Sequence, residues 1–330
     1  MSTTEPHAAD SAESGGFSPM RRAAIALTRP IAFVGVIGML LASGATVLDV
    51  LLRWLASTGV TALNEIVSMT FAVAVAACIP AGLASGVGVT IDVIEKQLSP
   101  RSAASLRALG AVALLVAFAV LTWRMGIFAE SLRMQGRTTV ILTLPQAPFI
   151  WTTTVLLGAS TFVQAIAAWD HVRAASAARR APWTRLDRIV WPCVALFALA
   201  CVYVALNWTR VSYLAQDYPA TTVIIGFLLM WILLLALIPL AAVLALSGLA
   251  GAGLLIGWGP AMSAYATEAA GFLTNYQVAT LPLFLMMGSF AAVAGVSDDV
   301  YRLAQAALGR FRGGLAMATI GGCAGFGAVT

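Results

Sequence analysis

Apolar residues in this chain come in long unbroken runs, not in the alternation of a half-buried strand or the stripe of a soluble amphipathic helix. The first four charge-free runs are Ile31–Leu52, interrupted only by Asp49, then Ile66–Ile91, Ala108–Trp123 and Val140–Trp169. Each is bounded by ionisable residues and comes near the roughly 20 residues needed to cross a bilayer as a helix. Four spans are therefore predicted. Ala108–Trp123 is short for a hydrocarbon core of about 30 Å, but flanking Arg107 and Arg124 can snorkel and lengthen it. The preceding "SPR" at Ser99–Arg101 suits a helix start, serine as N-cap and proline at the first helical position. In the fourth run Pro145 and Pro148 disfavour helix, so the span is expected from about Phe149 to Trp169, with "RTTVILTLPQAP" before it as an interfacial loop.

The pattern then changes. "DHVRAASAARRAPWTRLDR", Asp170 to Arg188, is rich in arginine and alanine and reads as a linker. A fifth span, Ile189–Thr209, leads to the charge-free stretch Tyr218–Thr267. As one helix that stretch would run about 75 Å, so it must fold back. Pro239 and the glycines at 248, 251, 253, 257 and 259 are the available breaks, which suggests a broken pair between Thr221 and Trp258. A further span is expected near Val278–Val296. "SDDVYRLAQAALGRFR" then reads as an amphipathic surface helix, capped by Ser297, with Asp298 and Asp299 at its positive end and Arg310 and Arg312 at its negative end. The last eighteen residues, Gly313–Thr330, carry no charge and six glycines.

Composition agrees that lipid is the solvent for most of the chain. Only 10% of residues are charged, 60% are hydrophobic and the mean hydropathy is +0.91, against about a quarter charged in soluble domains. The net charge of +5 comes from nineteen basic residues, of which only Lys96 is lysine. These lie between apolar runs, as topology signals do, so nucleic acid is excluded as a partner. With the N-terminus inside, fourteen of the nineteen fall on the cytoplasmic side; Arg53, Arg124, Arg133, Arg137 and Arg210 fall outside or near that face. The polar, Ser- and Ala-rich first twenty or so residues lack the features of a signal peptide and read as a disordered cytoplasmic tail.

Little in the chain can carry catalysis. There is no HExxH, GxSxG or Walker motif, and neither His7 nor His171 lies where a base or ligand within a span would be needed. The chain is read as no enzyme, with no cofactor. Cys78, Cys193, Cys201 and Cys323 sit in apolar stretches without CxxC spacing, so they read as small buried hydrophobes. Asp49 and Arg53, four apart in "DVLLR", can pair across one helical turn; this is a local structural ion pair or a subunit or lipid contact. Glu65 opens the second span, where a carboxylate meets the positive helix end as a cap or serves a proton relay. "GVGVTIDVIEKQL", Gly86–Leu98, can lie in the membrane surface. GxxxG spacings occur at Gly82/Gly86, Gly253/Gly257 and Gly321/Gly325, a weak signal among 29 glycines. At the end of the chain two readings stand: a continuous glycine-rich packing helix, or a half-helix breaking around Gly325–Thr330 whose backbone faces an ion or anion. On the second reading Gly325, Gly327 and Thr330 are the candidate ion- or substrate-binding residues.

"DVLLRW" (Asp49–Trp54), Glu65 opening the next span and "GVGVTIDV" (Gly86–Val93) in a four-span layout resemble the small membrane subunit of a tripartite ATP-independent periplasmic (TRAP) transporter. "IPLAAVLALSGLAG" (Ile238–Gly251) and the segment Leu281–Thr330, with its amphipathic connector, double glycine and glycine-rich run, resemble the opening of that family's large membrane subunit. Together these cover roughly residues 25–330, with Ile189–Thr209 as the connecting span of a fusion.

The resemblance implies an all-α polytopic fold in four parts: a disordered tail over 1–24, a four-span scaffold over 25–172, a linker and connecting span over 173–217, and the start of an elevator-type transport module over 218–330. In that module Ala316–Ala328 is similar to the first arm of a re-entrant hairpin, with Thr330 near its tip, and the chain stops early in the large subunit. The function implied is sodium-coupled import of an organic acid anion, dicarboxylate-like, across the bacterial inner membrane. The partners implied are a periplasmic substrate-binding protein, membrane lipids and any separately supplied remainder of the large subunit. A non-transporting scaffold or remnant, or a subunit of another secondary carrier, are the alternatives.

Overall fold

A computed structural model describes residues 18–86, 90, 98–178, 187–311 and 313–329. These are almost wholly helical; no strand occurs among the described residues, only an isolated bridge between Thr138 and Pro145. The protein is an all-α polytopic membrane protein, with four helices long and apolar enough to cross a bilayer.

Those four are α1 (Pro19–Ala56), α2 (Leu63–Ser85), α3 (Pro100–Met134) and α4 (Ala147–Ala177). They fall on the four expected runs, with different limits. At 38 residues, α1 is about 57 Å long, because polar flanks that leave the hydrocarbon remain helical. Helix α2 stops at Ser85 instead of Ile91, since Gly86 adopts a positive φ of 77° and its N–H closes on the carbonyls of Gly82 and Leu83. The tail over 1–17, the amphipathic reading of Val87–Gln97 apart from Thr90, and the arginine-rich centre of the linker, 179–186, lie outside the described residues.

Two starts follow from local chemistry. Ser18 and Ser99 each precede a proline and accept a backbone N–H, from Arg21 and Ser102. The SPR start of α3 is thus as expected. Helix α4 begins at Ala147, two residues before the expected Phe149, because Pro148 sits in the first turn, where its missing N–H costs nothing.

The four helices run up and down as a bundle, α1 against α2, α2 against α4 and α4 against α3. Between α1 and α2 the contact is close: a Cβ placed on Gly35 would lie 2.7 Å from the Ala74 carbonyl oxygen. Between α3 and α4 the Thr122 and Thr161 hydroxyls bond at 2.9 Å, and the buried Gln164 amide donates to Ala111 O at 3.0 Å. Such bonds matter because apolar faces have no preference among themselves in lipid. One end of the bundle gathers Arg21, Arg107 and His171; the other gathers Asp49, Glu65 and Arg133.

Helix α5 (Asp187–Leu206) starts beside α3. Trp191 Nε1 donates to Ser102 Oγ at 3.0 Å, and Asp187 is buried against the Ser99 backbone N–H. The expected span Ile189–Thr209 ends three residues early, since Trp208 begins α6 (Trp208–Asp217) at 94° to α5. Next come α7 (Pro219–Leu235) and α8 (Leu240–Ile256), the expected broken pair, with Pro239 at the break. Of the five candidate glycines only Gly257, at φ 89°, ends a helix; it separates α8 from α9 (Trp258–Leu273).

The expected span Val278–Val296 is divided between α10 (Tyr276–Ala279) and α11 (Leu281–Val293), which are separated by Thr280 and followed by Gly295 at φ 81°. Thirteen residues of α11 reach about 20 Å, short of a hydrocarbon core. Helix α12 (Val296–Leu308) is the amphipathic helix, with Asp298 and Asp299 in its first turn. Its N-cap position is Gly295, not Ser297, because the left-handed glycine turns the chain two residues sooner. Helix α13 (Gly314–Val329) packs back on α12.

Ser99→Ala removes the cap of α3 and a buried polar contact. It should lower the stability of the full chain in detergent by about 1 kcal/mol, read as a fall in the midpoint of thermal unfolding.

Candidate functional site

At one end of the bundle two carboxylates hold loops. Asp49, 5% exposed, accepts Arg53 Nε at 2.8 Å on one oxygen and the Val60 backbone N–H on the other. The Asp49–Arg53 pair is therefore local, and it also fixes the α1–α2 connection, whose Ser57 and Ala62 both sit at positive φ. Glu65, in the first turn of α2, does not cap its own helix through its side chain. Its two oxygens accept the backbone N–H groups of Ile141 at 2.8 Å and Leu142 at 3.0 Å, in the α3–α4 loop. That loop is the expected interfacial segment, and it presents Val140 and Ile141 outward.

Helix α3 is the wall shared by the bundle and the later helices. Leu237, at φ 61° and buried, turns the chain between α7 and α8, and this elbow lies directly on α3. A Cβ on Gly110 would come within 2.7 Å of Pro239 Cδ, 3.2 Å of Ile238 Cα and 3.3 Å of Leu237 O. Only hydrogen at this position lets backbone meet backbone. Around it, Leu114 packs with Leu234, Ile238, Ala242 and Val243.

Further along α3, Arg124 crosses to α9: Nε donates to Met262 O at 3.0 Å and Nη2 to Ser263 Oγ at 3.1 Å. Below it Met125 and Ala129 share a buried cluster with Ile150 and Leu157 of α4 and Ala266 and Ala270 of α9. Arg124, read from sequence as snorkelling, is thus spent on α9.

At the opposite end of the bundle a partly open cavity of about 260 Å³ lies between α1, α2, α3, α4 and the elbow. Arg21, Thr90, Arg107, Gln164 and His171 supply its polar lining, and Leu83, Leu114 and Leu237 are among its apolar walls. Arg21 Nε donates to Ala84 O at 2.9 Å, which sets the guanidinium at the rim. Ser18 donates to Asp170 at 2.7 Å, tying the start of α1 to α4 beside the cavity.

Five of the six glycines of the last stretch lie on α13, which continues unbroken through Gly325 and Gly327 to Val329; Gly313, at φ 82°, precedes it. A Cβ on Gly325 would lie 3.0 Å from Val300 Cγ1, and one on Gly321 would lie 3.3 Å from Leu308 Cδ1, so these two glycines seat α13 against α12. Nothing lies within 4 Å of a Cβ on Gly327. Thr330 is outside the described residues. Of the three GxxxG spacings, 321/325 is used in helix packing; Gly253 faces the stacked rings of Trp208 and Trp258, and Gly82 has open space. Among the described residues, no group of three or more His, Cys, Asp or Glu side chains is arranged to hold a metal ion.

Gly110 and Leu237–Pro239 were not singled out as a pair from sequence. A glycine in "ALGAVALL" has no local reason to exist, and that absence is the only signal it offers.

Residues 42–174 match the family model described as Tripartite ATP-independent periplasmic transporters, DctQ component. Residues 219–330 match that of Tripartite ATP-independent periplasmic transporter, DctM component. The first match runs from within α1 to the last turn of α4, and the second begins at the first residue of α7. No curated protein matches the chain at a significant level.

Gly110→Val should separate the elbow from α3 and destabilise the fold by about 1 to 3 kcal/mol as an overpacked site. Gly82→Val, in open space, should leave the unfolding midpoint close to wild type. Arg124→Leu should keep the α1–α4 bundle while speeding limited proteolysis between α8 and α10; equal proteolysis rates would show that Arg124 does not join the two parts.

Proposed function

Because the chain belongs to the tripartite ATP-independent periplasmic transporter family and carries its DctQ and DctM components in one polypeptide, we propose that it is a permease importing an organic acid anion with sodium as coupling ion. Both matched components belong to transporters, and the long apolar helices make it a multi-pass protein of the inner membrane. The substrate in this reading is dicarboxylate-like and is delivered by a periplasmic binding protein. The observation that carries the proposal is the order of the two components along one chain, joined through α5 and α6.

The structure supports a division of labour. Residues 25–172 form a fixed scaffold, 173–217 the linker and connector, and 218–330 the transport part. Scaffold helices α1–α4 are pinned at one end by Asp49 and Glu65 and at the other by Arg21 and Ser18. The α12–α13 pair instead packs chiefly on itself, as a unit that moves relative to a scaffold must. In this reading Gly325, Gly327 and Thr330 approach the ion site, where backbone groups near a helix end supply the ligands.

The orientation proposed is N-terminus in the cytoplasm. Arg21, Arg22, Arg29, Arg101, Arg107 and Arg173 lie toward the Arg21 end, against Arg53, Arg133 and Arg137 toward the Glu65 end.

Vesicles containing the full-length gene product should take up a dicarboxylate only when both a sodium gradient and the purified binding protein are present. Uptake without either would sink the proposal. Gly325→Leu should abolish uptake while leaving the protein in the membrane, because the added side chain pushes α13 off Val300. For topology, a cysteine placed at Met20 should react with an impermeant maleimide only after inside-out vesicles are formed, and one placed at Gly59 only in intact spheroplasts; the reverse pattern would invert the orientation.

A further inference from the structure

Helix α6 joins the two matched components, and its height and side chains give it a second property. It follows α5 at 94°, so where α5 crosses the bilayer α6 lies close to the membrane plane. Two routes through α3 fix its height. From the elbow on Gly110, the 17 residues of α7 lead back about 26 Å to Pro219. Arg124 stands about 21 Å along α3 from the same glycine. The second route runs through Trp208, whose ring stacks on Trp258 at 4.8 Å and lies against Gly253. Trp258 begins the turn that leads to Met262, whose carbonyl receives Arg124. Both routes put α6 where the charge-free run of α3 ends, at Trp123 and Arg124. Trp123, Trp258, Tyr213 and Tyr218 are all exposed, as in the aromatic belt of a membrane–water interface.

The sequence of α6, "WTRVSYLAQD", is sided in the same sense. Trp208 and Val211 are half-buried and Ala215 is buried, at i, i+3 and i+7 of one face, and α6 packs on α8. Beside that face Leu214 is 62% exposed. Tyr218, whose N–H closes the last turn on the Leu214 carbonyl, is 62% exposed as well. Opposite Leu214, at 3.6 residues per turn, come Thr209, Ser212 and Gln216, and Arg210 and Asp217 are exposed too. Two ionisable groups and an amide within ten residues are costly in hydrocarbon, which weighs against α6 entering the bilayer as part of a re-entrant loop. An apolar side bare in water is unfavourable as well. A helix lying in the interface meets both constraints.

We propose that α6 is an interfacial anchor whose partner is the phospholipid surface. Leu214 and Tyr218 enter the lipid at the glycerol level, and Thr209, Gln216 and Asp217 face water. Trp208 holds the anchor to α8 through Trp258 and Gly253. Because Pro219 follows at once, the anchor sets the depth at which α7, and with it the elbow on Gly110, stands in the membrane.

The test places one nitroxide at a time on the full chain, reconstituted in vesicles of phosphatidylethanolamine with phosphatidylglycerol as the minor component. Each label sits on a cysteine introduced into a chain whose four native cysteines are alanine. Collisions with a water-soluble nickel chelate should be several-fold fewer at Leu214→Cys and Tyr218→Cys than at Thr209→Cys and Gln216→Cys. Collisions with oxygen, which concentrates in lipid, should follow the opposite order, and Leu214→Cys should read shallower than Leu228→Cys within α7. Equal water access all round α6 would leave its apolar side free for a protein partner and overturn the proposal. Loss of water access at Thr209→Cys and Gln216→Cys would make α6 re-entrant and overturn it too. Should the cysteine-free chain fail to fold, the wild type is irradiated in the same vesicles doped with a phospholipid photoactivatable at the glycerol level. Adducts within 208–218 support the anchor, and their absence there overturns it.

Discussion

The contact of the Leu237–Pro239 elbow with Gly110 is the constraint on which the arrangement of the later helices depends. In lipid, helices gain nothing from exchanging one apolar neighbour for another, so a stable joint needs close backbone approach or a polar bond. The elbow supplies the first and Arg124 the second, on two stretches of one helix face. Helix α3 thereby holds α4 on one side and α8 and α9 on the other. A buried non-glycine residue at positive φ, Leu237, is tolerated because the packing of Leu98, Ala103 and Leu106 around it over-determines its place.

Polar groups elsewhere do similar work at the bundle ends. Asp49 and Glu65 each present two oxygens to backbone or guanidinium N–H groups of a connection that would otherwise leave its donors to compete for water at the interface. The result is a four-helix unit fixed at both ends and joined laterally to the following helices. Under the proposed division into a stationary and a moving part, this is the mechanical property the stationary part requires. The α12–α13 pair differs: glycines seat its helices against one another, and its principal neighbour outside itself is α11.

Several features were legible in the sequence for a physical reason that needs no neighbour. Ser99 followed by Pro100 starts a helix by local geometry, Pro239 and Gly257 end them by removing a donor or admitting positive φ, and Asp49 reaches Arg53 across one turn. Glu65 was legible only in part. Its place in the first turn of α2 suggested a cap, whereas its actual partners, Ile141 and Leu142, are 76 and 77 residues away. Val278–Val296 misled because hydropathy does not register the two interruptions at Thr280 and Gly295 that shorten it. The glycine-rich ending illustrates the same boundary: composition left a packing helix and a broken half-helix both open, and the contact of Gly325 with Val300 depends on where α12 lies.

By itself, the sequence determined which segments leave water, where most helices begin and end, and the family whose two components stand in order along the chain. Those follow from hydropathy, caps and breakers, which act within a few residues. The tertiary structure alone decided that Gly110 meets the elbow, that Arg124 reaches Met262 and that Arg21, Arg107 and His171 surround one cavity. Helices buried in lipid present nearly equivalent apolar faces, so the choice among them rests on a few close approaches and hydrogen bonds between residues far apart in the chain.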